Sequence, residues 1–363
     1  MYPTRPDANS QHRERIGMTI TYEHLSPEQR AHFLEHGWVK VDGGIPSDHI
    51  RAWTENAFVR LGWDEHDKST WTDEAYHMPR HREVKHSHHM PKAWAVASEL
   101  VGGKDRWDDD IFSTSGDSLI VNVGSEHTAG QRVHPRDTGN WHIDGDWFDH
   151  YLDSSDQALL TVCLYTDVVP DGGPTLICPK ALPRVLQWLY DHPEGGYSNQ
   201  VLVDCMKDID EKDFVYLTGT AGDVFFGHPM MPHSKSRNHL RYFRAICNPT
   251  TTLVDPLNFN RQDPDDYSLV EQYTLRALGR WPLGLGDWHI GKERRRYQPR
   301  TQAGRDAKVA KELERLSAHA QMTGGTVDSK YLTGESFEHE KLKRYQPPDQ
   351  SFFAETHQPV KAG

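Results

Sequence analysis

A histidine and an aspartate lie two residues apart in the segment Trp141-His142-Ile143-Asp144. In an extended strand, residues i and i+2 point to the same side, so His142 and Asp144 are expected to share one face. One imidazole and one carboxylate, joined by a second histidine from a distant strand, form the ligand set that suits Fe(II) and leaves coordination positions open. Those positions can accept a bidentate 2-oxo acid and then dioxygen.

Two later segments supply partners for such a site. Residues 222–233 read as a turn, an apolar strand and two candidate histidine ligands, His228 and His233. In the strand predicted at 241–246, Arg244 lies on the opposite side from Phe243. A buried arginine needs an anion, and its planar guanidinium matches a carboxylate through two parallel hydrogen bonds. The distal carboxylate of 2-oxoglutarate is such an anion.

The order of four segments resembles that of the phytanoyl-CoA dioxygenase family of Fe(II)/2-oxoglutarate-dependent oxygenases. These segments are WHID at 141–144, DGGPTLICPKALPRV at 171–185, GDVFFGHPMMPH at 222–233 and RYFRAI at 241–246. The resemblance covers roughly residues 20 to 250. It implies a mainly β fold with flanking helices around a double-stranded β-helix, which is a cupin-like jelly roll. It also implies Fe(II), 2-oxoglutarate as cosubstrate, and O2.

The resemblance assigns roles to individual residues. It makes His142, Asp144 and His233 the metal ligands and catalytic centre. It makes Arg244 the anchor for 2-oxoglutarate, because the family's arginine follows the distal histidine by about as many residues as separate this pair (244 − 233 = 11). This spacing favours His233 over His228 as the ligand.

Two further cosubstrate contacts are implied by position. Thr175 falls where the family often places a threonine hydroxyl near 2-oxoglutarate, and Asn122 falls on the strand before the triad, where polar contacts are common. For both residues the alternative is that the side chain satisfies backbone groups. The family's Pro-Gly-Ser-His is replaced by Pro-Lys-Ala-Leu at 179–182, which leaves the shape of that loop open.

The resemblance implies a dioxygenase that oxidises a small molecule by hydroxylation, desaturation or ring formation and releases succinate and CO2. We expect a biosynthetic substrate such as an amino acid or a natural-product intermediate. Halogenating relatives carry a small residue in place of Asp144, so its presence argues against halogenation. Two alternatives remain, a Lewis-acid hydrolase or isomerase that uses a divalent metal and a non-catalytic metal-binding jelly roll. The arginine at the family spacing counts against both.

The composition limits the classes of partner. The 363 residues carry a net charge of −12, whereas a nucleic-acid binder usually needs a dominant basic face. The compact basic run KERRR at 292–296 is therefore expected to be a solvated surface. No apolar stretch approaches the roughly 20 residues that span a bilayer, and four scattered cysteines suit reduced thiols. We expect a cytoplasmic protein with a small-molecule substrate and no nucleic-acid or membrane partner, and a homodimer remains open.

The elements that must position the site divide the chain into three parts. We expect a flexible leader at 1–17, a jelly-roll domain with N-terminal helices at 18–250, and a helical and loop-rich extension packed on the core at 251–363. Helices are predicted from Ser26 to Gly37, from Ser47 to Gly62, at 182–190 and at 306–320. Strand-like runs are separated by Gly, Pro and Asp turns, which is typical of a sandwich or jelly roll. The runs lie at 38–41, 119–123, 158–165, 174–178, 214–217, 223–226 and 242–247.

Two groups of residues have open roles. Residues 63–110 are rich in tryptophan and histidine and predict loops with short helices, and their histidines are expected at the surface or in packing. These histidines are His77, His81, His86, His88 and His89. After the triad comes an aromatic group that either lines the mouth of the site or packs within its own loop. Its members are Trp147, Phe148, His150 and Tyr151.

Overall fold

The computed structural model describes residues 20–108, 114–202, 204–296 and 304–333, so the predicted leader and parts of the predicted extension lie outside it. The described residues form eleven strands, which overlap every predicted run. In chain order they are β1 (Trp38–Val41), β2 (Ala75–His77), β3 (Glu83–Lys85), β4 (Thr114–Gly116), β5 (Ile120–Asn122), β6 (Leu160–Leu164), β7 (Thr175–Ile177), β8 (Val215–Leu217), β9 (Val224–Gly227), β10 (His233–Lys235) and β11 (Arg244–Cys247).

Two antiparallel sheets organise these strands. The larger sheet has six strands in the order β1-β9-β6-β11-β5-β2, and the second has three in the order β10-β7-β8. From β6 to β11 the chain passes repeatedly between the two sheets, since β7, β8 and β10 belong to the smaller sheet and β6, β9 and β11 to the larger. Strands β3 and β4 form a separate pair. The fold is therefore sheet-rich with helices around it, as the sequence predicts.

Ten helices accompany the strands in the described residues. They are α1 (Pro27–His36), α2 (Ser47–Thr54), α3 (Ala57–Leu61), α4 (His86–His89), α5 (Pro91–Leu100), α6 (Leu182–Asp191), α7 (Ser198–Leu202), α8 (Leu269–Ala277), α9 (Arg305–Thr323) and α10 (Lys330–Thr333). One apolar cluster joins the sheets to the helices, with Phe33, Val121, Phe226 and Val270 among its buried members. No helix in the described residues has the length and apolar composition needed to cross a bilayer.

Local sequence signals explain where the first helices begin and end. Helix α1 begins at a capping box, in which Ser26 Oγ accepts a hydrogen bond from Gln29 N at 3.2 Å, and it ends at Gly37 in the left-handed conformation. The helix predicted from Ser47 to Gly62 is instead two helices, α2 and α3. Asn56 leaves helical geometry with φ −104° and ψ 14°, and asparagine competes for its own backbone groups at such breaks.

Two described helices beyond residue 250, α8 and α9, pack against the N-terminal helices. Helix α9 packs beside α3, where Glu312 accepts a hydrogen bond from Arg60 Nε at 2.7 Å. Helix α8 packs against α1 and begins at a second capping box, formed by Ser268 and Glu271. The sequence prediction did not include α8, although the Ser-x-x-Glu signature is present.

Candidate metal centre

A backbone bridge brings the two parts of the candidate site together. His142 N donates to the carbonyl oxygen of His233, and His233 N donates to that of His142, each at 3.0 Å. Strand β10 in turn pairs with β7, with His233 opposite Ile177. The expected strand at 142–144 is thus a single bridge rather than a regular strand. The distant histidine is nevertheless placed directly beside the His-x-Asp segment.

The three predicted ligands form the one group of metal-binding side chains found in the described residues. Ligand atoms of His142, Asp144 and His233 all lie within 4.8 Å of one another. Asp144 Oδ1 is 3.5 Å from His142 Nε2 and 3.3 Å from His233 Nε2. Two ligands at right angles about a metal, each bond about 2.1 Å long, lie about 3.0 Å apart. The separations therefore match a facial triad to within a small adjustment.

The second nitrogen of each histidine is held by a backbone carbonyl. His142 Nδ1 lies 2.7 Å from the carbonyl oxygen of Asn140, and His233 Nδ1 lies 3.1 Å from that of Met231. Because a carbonyl only accepts, each Nδ1 carries the proton, and a neutral ring directs the Nε2 lone pair towards Asp144. His233 Nε2 is buried and has no hydrogen-bond partner. Two lone pairs facing a carboxylate need a cation between them, so these residues fit an iron site.

The charges within the triad also favour a cation. Burial alone would raise the pKa of the Asp144 carboxyl, but His233 and His142 hold it well below its usual range. Burial alone would lower the pKa of His142, but Asp144 raises it. The carboxylate is therefore ionised and draws positive charge to this point. Access comes from the His142 side, which is 38% exposed, whereas His233 is 3% exposed.

A buried histidine supports the backbone of Asp144. His150 is fully buried, and its Nε2 lies 2.9 Å from the carbonyl oxygen of Asp144. Burial lowers the pKa of His150, so the neutral ring donates this hydrogen bond through Nε2. Between them Gly145 has φ +114°, and a Cβ atom there would lie 2.3 Å from Phe148. The sequence leaves open whether His150 lines the mouth of the site or packs within its loop. The structure places it behind the metal ligand Asp144.

The rest of the aromatic group mostly packs within its loop. Phe148 is 1% exposed and Tyr151 is 2% exposed, so neither side chain faces an open mouth. Trp147 is half-buried. On the other side of the triad, Ser198 Oγ accepts a hydrogen bond from Ile143 N at 2.8 Å. Both flanks of the segment that carries Asp144 are thus fixed by buried contacts.

The basic run at 292–296 is largely exposed, as the sequence predicts, but it is also tied to another part of the chain. Its three arginines, with part of their length exposed, each form an ion pair with the acidic loop after the triad. The pairs are Arg294–Asp153 at 2.7 Å, Arg295–Asp149 at 2.7 Å and Arg296–Asp156 at 2.6 Å. Asp149 N also donates to the carbonyl oxygen of Arg295 at 3.2 Å. The sequence shows both charge runs, but their pairing across about 140 residues is a tertiary property. We call residues 293–296 the arginine strap.

Arg244 is a buried cation on the inner face of the larger sheet. It is 1% exposed and lies opposite Asn122 in the β11–β5 register. Its Nε donates to the carbonyl oxygen of Gly173 at 2.7 Å and its Nη1 to that of Ile120 at 3.2 Å. Burial lowers its pKa to about 10, so it remains charged at neutral pH. It forms no ion pair with any residue that the structure describes.

The two weaker sequence candidates differ in their surroundings. The amide of Asn122 donates to the carbonyl oxygen of Ser236 at 3.0 Å, and its oxygen accepts from Gly124 N at 3.1 Å. Asn122 thus bonds backbone groups, which is the alternative considered from the sequence. Thr175 is 5% exposed, and its hydroxyl makes no hydrogen bond to a described residue. The Thr175 hydroxyl is therefore not occupied by a described residue, whereas the Asn122 side-chain amide is.

Four other candidate histidines make packing or hydrogen-bond contacts within the fold. His228 is fully buried, with Nε2 2.9 Å from Thr274 Oγ1 and Nδ1 accepting from Met230 N at 3.1 Å. His81 bonds Ser329, and His89 stacks on Trp53 with 3.6 Å between ring centroids. His86 bonds Ser115 in the same way, through a buried hydroxyl. None of these histidines belongs to the metal-binding group.

His77 is exposed, as the sequence predicts for a surface histidine. It lies on the edge strand β2, on the same sheet face as Arg244. Desolvation lowers the pKa of His77, and the nearby positive charges of Lys308, Lys235, His142 and Arg244 lower it further.

No family model and no curated protein matches the chain. Among solved structures, it is similar to the epimerase SnoN in complex with Fe3+, alpha-ketoglutarate and nogalamycin RO, at 17% identity and a TM-score of 0.37, with 62% of this chain and 81% of that chain covered. EvdO2 of Micromonospora carbonacea var. aurantiaca, complexed with 2-oxoglutarate, shares 12% identity at a TM-score of 0.36, over 69% of this chain and 99% of that chain. GIG2 of Candida albicans shares 12% identity at a TM-score of 0.41, over 89% of this chain and 86% of that chain. These distant similarities assign neither a family nor an activity to the chain.

Proposed function

We propose that the protein is a non-haem iron(II) dioxygenase that uses 2-oxoglutarate and O2 to oxidise a small molecule. The observation that carries the proposal is the geometry of the triad. In His142 and His233 the protonated Nδ1 is held by a backbone carbonyl, and both Nε2 atoms face the carboxylate of Asp144. The ligand set of two histidines and one carboxylate is typical of iron oxygenases with open coordination positions. Bound iron would supply the activation of dioxygen, and the protein would supply geometry.

The strand arrangement supports the proposal of a double-stranded β-helix. Strands after β5 pass repeatedly between the larger and the smaller sheet, as the windings of a jelly roll do. The triad lies where β10 meets the segment that carries His142. A phytanoyl-CoA dioxygenase-like core at 18–250 is the specific form of this proposal.

Arg244 is the proposed binding residue for the distal carboxylate of 2-oxoglutarate. A buried guanidinium without a counter-ion is costly, and a bound carboxylate removes that cost through charge-assisted hydrogen bonds. Thr175 is proposed as a second donor, because its hydroxyl bonds no described residue and it lies two residues after Gly173, which accepts the hydrogen bond from Arg244 Nε. Asn122 contributes by holding Gly124 and Ser236 in place.

The proposed outcome is hydroxylation, desaturation or ring formation on a small-molecule substrate such as an amino acid or a natural-product intermediate. Asp144 occupies the third ligand position, so no room is left there for a halide. The buried surroundings of His233 exclude water from one side of the centre, while the exposed side of His142 leaves an approach for substrate.

The test is an anaerobic titration of the purified apoprotein with Fe(II) and 2-oxoglutarate. We expect the weak visible charge-transfer band of the chelate in the wild type, and at least about tenfold weaker 2-oxoglutarate binding in Arg244→Ala. Arg241→Gln is the matched control, because Arg241 lies three residues earlier and pairs with Glu126. It should bind as the wild type does.

The same titration separates the alternatives. If iron binds but no band forms, the Lewis-acid or the structural role of the metal is favoured and the proposed function is wrong. A Lewis-acid enzyme would hydrolyse or isomerise its substrate without consuming 2-oxoglutarate. A purely structural metal would change stability alone.

A further inference from the structure

The loop that follows Asp144 lies between two other segments of the chain. On one side, Asp149 N donates to the carbonyl oxygen of Arg295 at 3.2 Å. On the other side, His150 and Gly196 exchange two backbone hydrogen bonds, at 2.8 and 3.0 Å. Neighbouring residues of the loop thus bond to different segments, and the arginine strap is the segment on one side.

Side chains reinforce the contact between the strap and the loop. Arg295 Nε and Nη2 each lie 2.7 Å from Oδ2 of Asp149, whose side chain is only 2% exposed. A buried carboxylate is costly unless a cation or hydrogen bonds compensate its charge. The Tyr151 hydroxyl donates to the carbonyl oxygen of Glu293 at 3.3 Å, and the guanidinium of Arg294 lies 5.3 Å from the centre of the Tyr151 ring. The strap therefore holds the loop through the side chains of two loop residues.

Asp149 and His150 connect the strap to the metal centre. They are neighbours in the chain, and His150 Nε2 donates to the carbonyl oxygen of Asp144 at 2.9 Å. Gly145, which follows Asp144, has φ +114°, and glycine is free to adopt many other conformations. The local backbone therefore does not fix the direction of Asp144, and the hydrogen bond from His150 supplies that constraint.

We propose that the arginine strap positions the metal ligand Asp144. Arg295 holds Asp149, and the adjoining His150 then holds the carbonyl group of the ligand. The inference rests on the metal site of the proposed function, whatever the cosubstrate. Without the Arg295 side chain, the charge of Asp149 would be compensated less well, and the loop would relieve this by moving towards water. Strap and metal should therefore stabilise each other, because both favour the same position of the loop.

The test is a titration of the metal-free, full-length protein with Co(II), followed through its visible absorption. Co(II) accepts the same nitrogen and oxygen ligands as Fe(II) and is stable in air. Arg295→Gln should weaken Co(II) binding about fivefold, which is less than the roughly 10–100-fold loss for a partner that contacts a ligand directly. Arg295→Lys keeps the charge without the planar guanidinium, so it should bind Co(II) more tightly than Arg295→Gln does.

A double-mutant cycle tests whether the ion pair acts as one unit. Asp149→Asn should weaken Co(II) binding to a similar extent, and the double variant Arg295→Gln/Asp149→Asn should lose little more than either single variant.

Arg261→Gln is the matched control, because Arg261 is also a partly exposed arginine that pairs with a buried carboxylate. Its Nε and Nη2 lie 2.9 and 2.8 Å from the two oxygens of Glu271, which is outside the metal-binding group. Arg261→Gln should lower the free energy of unfolding in urea, as Arg295→Gln does. Its Kd for Co(II) should nevertheless stay within about twofold of the wild-type value.

The outcomes separate the inference from the proposed function. Weaker Co(II) binding in Arg295→Gln and Asp149→Asn, with Arg261→Gln unchanged, supports the inference. A Kd within about twofold of the wild-type value in both Arg295→Gln and Asp149→Asn overturns it and leaves the proposed function standing. Equal losses in Arg295→Gln and Arg261→Gln would also overturn it, because lower stability alone would then explain them. If the wild type binds no Co(II), the metal site itself is refuted, and with it both the proposed function and the inference.

Discussion

His142 and His233 exchange two backbone hydrogen bonds, each at 3.0 Å, so the peptide groups of the two histidine ligands are directly paired. Their ring centroids are 4.2 Å apart, and each ring is fixed again by a carbonyl at its Nδ1. Two of the three metal ligands therefore depend on the backbone rather than on the metal for their position. The third ligand, Asp144, depends on its loop.

Removing the carboxylate should abolish metal binding while leaving the fold intact. Asp144→Ala leaves two imidazoles without the charge that attracts the metal, and loss of a ligand should cost more than the roughly 10–100-fold typical of supporting residues. Asp204→Asn is the control, since Asp204 is exposed and lies outside the metal-binding group. Iron content after equilibrium dialysis and 2-oxoglutarate turnover are the measurements. Full iron loading or turnover in Asp144→Ala would contradict the assignment.

The hydrogen bond from His150 to the backbone of Asp144 should tune metal affinity. His150→Phe keeps an aromatic ring in the buried site but removes the donor, so the loop can shift, and we expect Fe(II) affinity to fall about tenfold. His150→Gln keeps a donor nitrogen at a similar reach and should recover part of that loss. Competition with a chromophoric chelator measures both values. Equal affinities in Phe and wild-type proteins would show that packing alone positions Asp144.

Glu312 should be essential for holding α9 on the N-terminal helices. Its carboxylate is fully buried, 2.7 Å from Arg60 Nε and 3.2 Å from His81 Nε2. Glu312→Ala removes one partner of a buried charge pair, which typically costs about 3–5 kcal/mol in the free energy of unfolding. The exposed Glu314 of the same helix is the control, and Glu314→Ala should change it by less than about 0.5 kcal/mol. Urea denaturation checks both, and similar values for the two variants would disprove a role for the buried pair.

Acid should destabilise the fold through His228. Burial lowers its pKa to about 3 in the folded protein, whereas the unfolded chain has a value of about 6.5. Between these two values the unfolded state binds a proton and the folded state does not. The free energy of unfolding is therefore at its full value above about pH 6.5 and declines as the pH falls towards 3. Protonation would also break the hydrogen bond that Nδ1 accepts from Met230 N.

The variant His228→Gln isolates this contribution, because Gln keeps a donor for Thr274 but does not titrate. Between about pH 7 and pH 5, the wild type should lose about 2 kcal/mol more stability than the variant. Urea denaturation of the apoproteins at both pH values measures the difference. Equal losses would mean that His228 is already protonated or accessible in the fold.

The candidate triad was predictable from the sequence because its signals are local. His142 and Asp144 are two residues apart, and the resemblance chose His233 rather than His228 by spacing alone. Six of the seven predicted strand runs contain, and the seventh overlaps, a strand of the structure. Such signals depend on alternation and turn residues, which short segments carry by themselves.

Other features depend on contacts that no local pattern encodes. In the sequence the arginine strap is a run of surface charges. Only the structure shows that its three arginines pair with aspartates of a distant loop. His150 sits in a loop with three aromatic residues, and only its burial and the direction of its Nε2 distinguish it from them. Helix α8 is different, because its capping box is visible in the sequence but the prediction does not include the helix.

The arginine strap also bears on the order in which the protein is made. Asp144 and the three strap partners Asp149, Asp153 and Asp156 are synthesised about 140 residues before the arginines. A growing chain therefore presents five carboxylates, Asp146 included, in one short stretch before any of the arginines has been made. The finished chain pairs three of them with arginines, and Asp144 is the one that joins the two histidines, so the arrangement that can select a metal belongs to the completed protein and not to the emerging one.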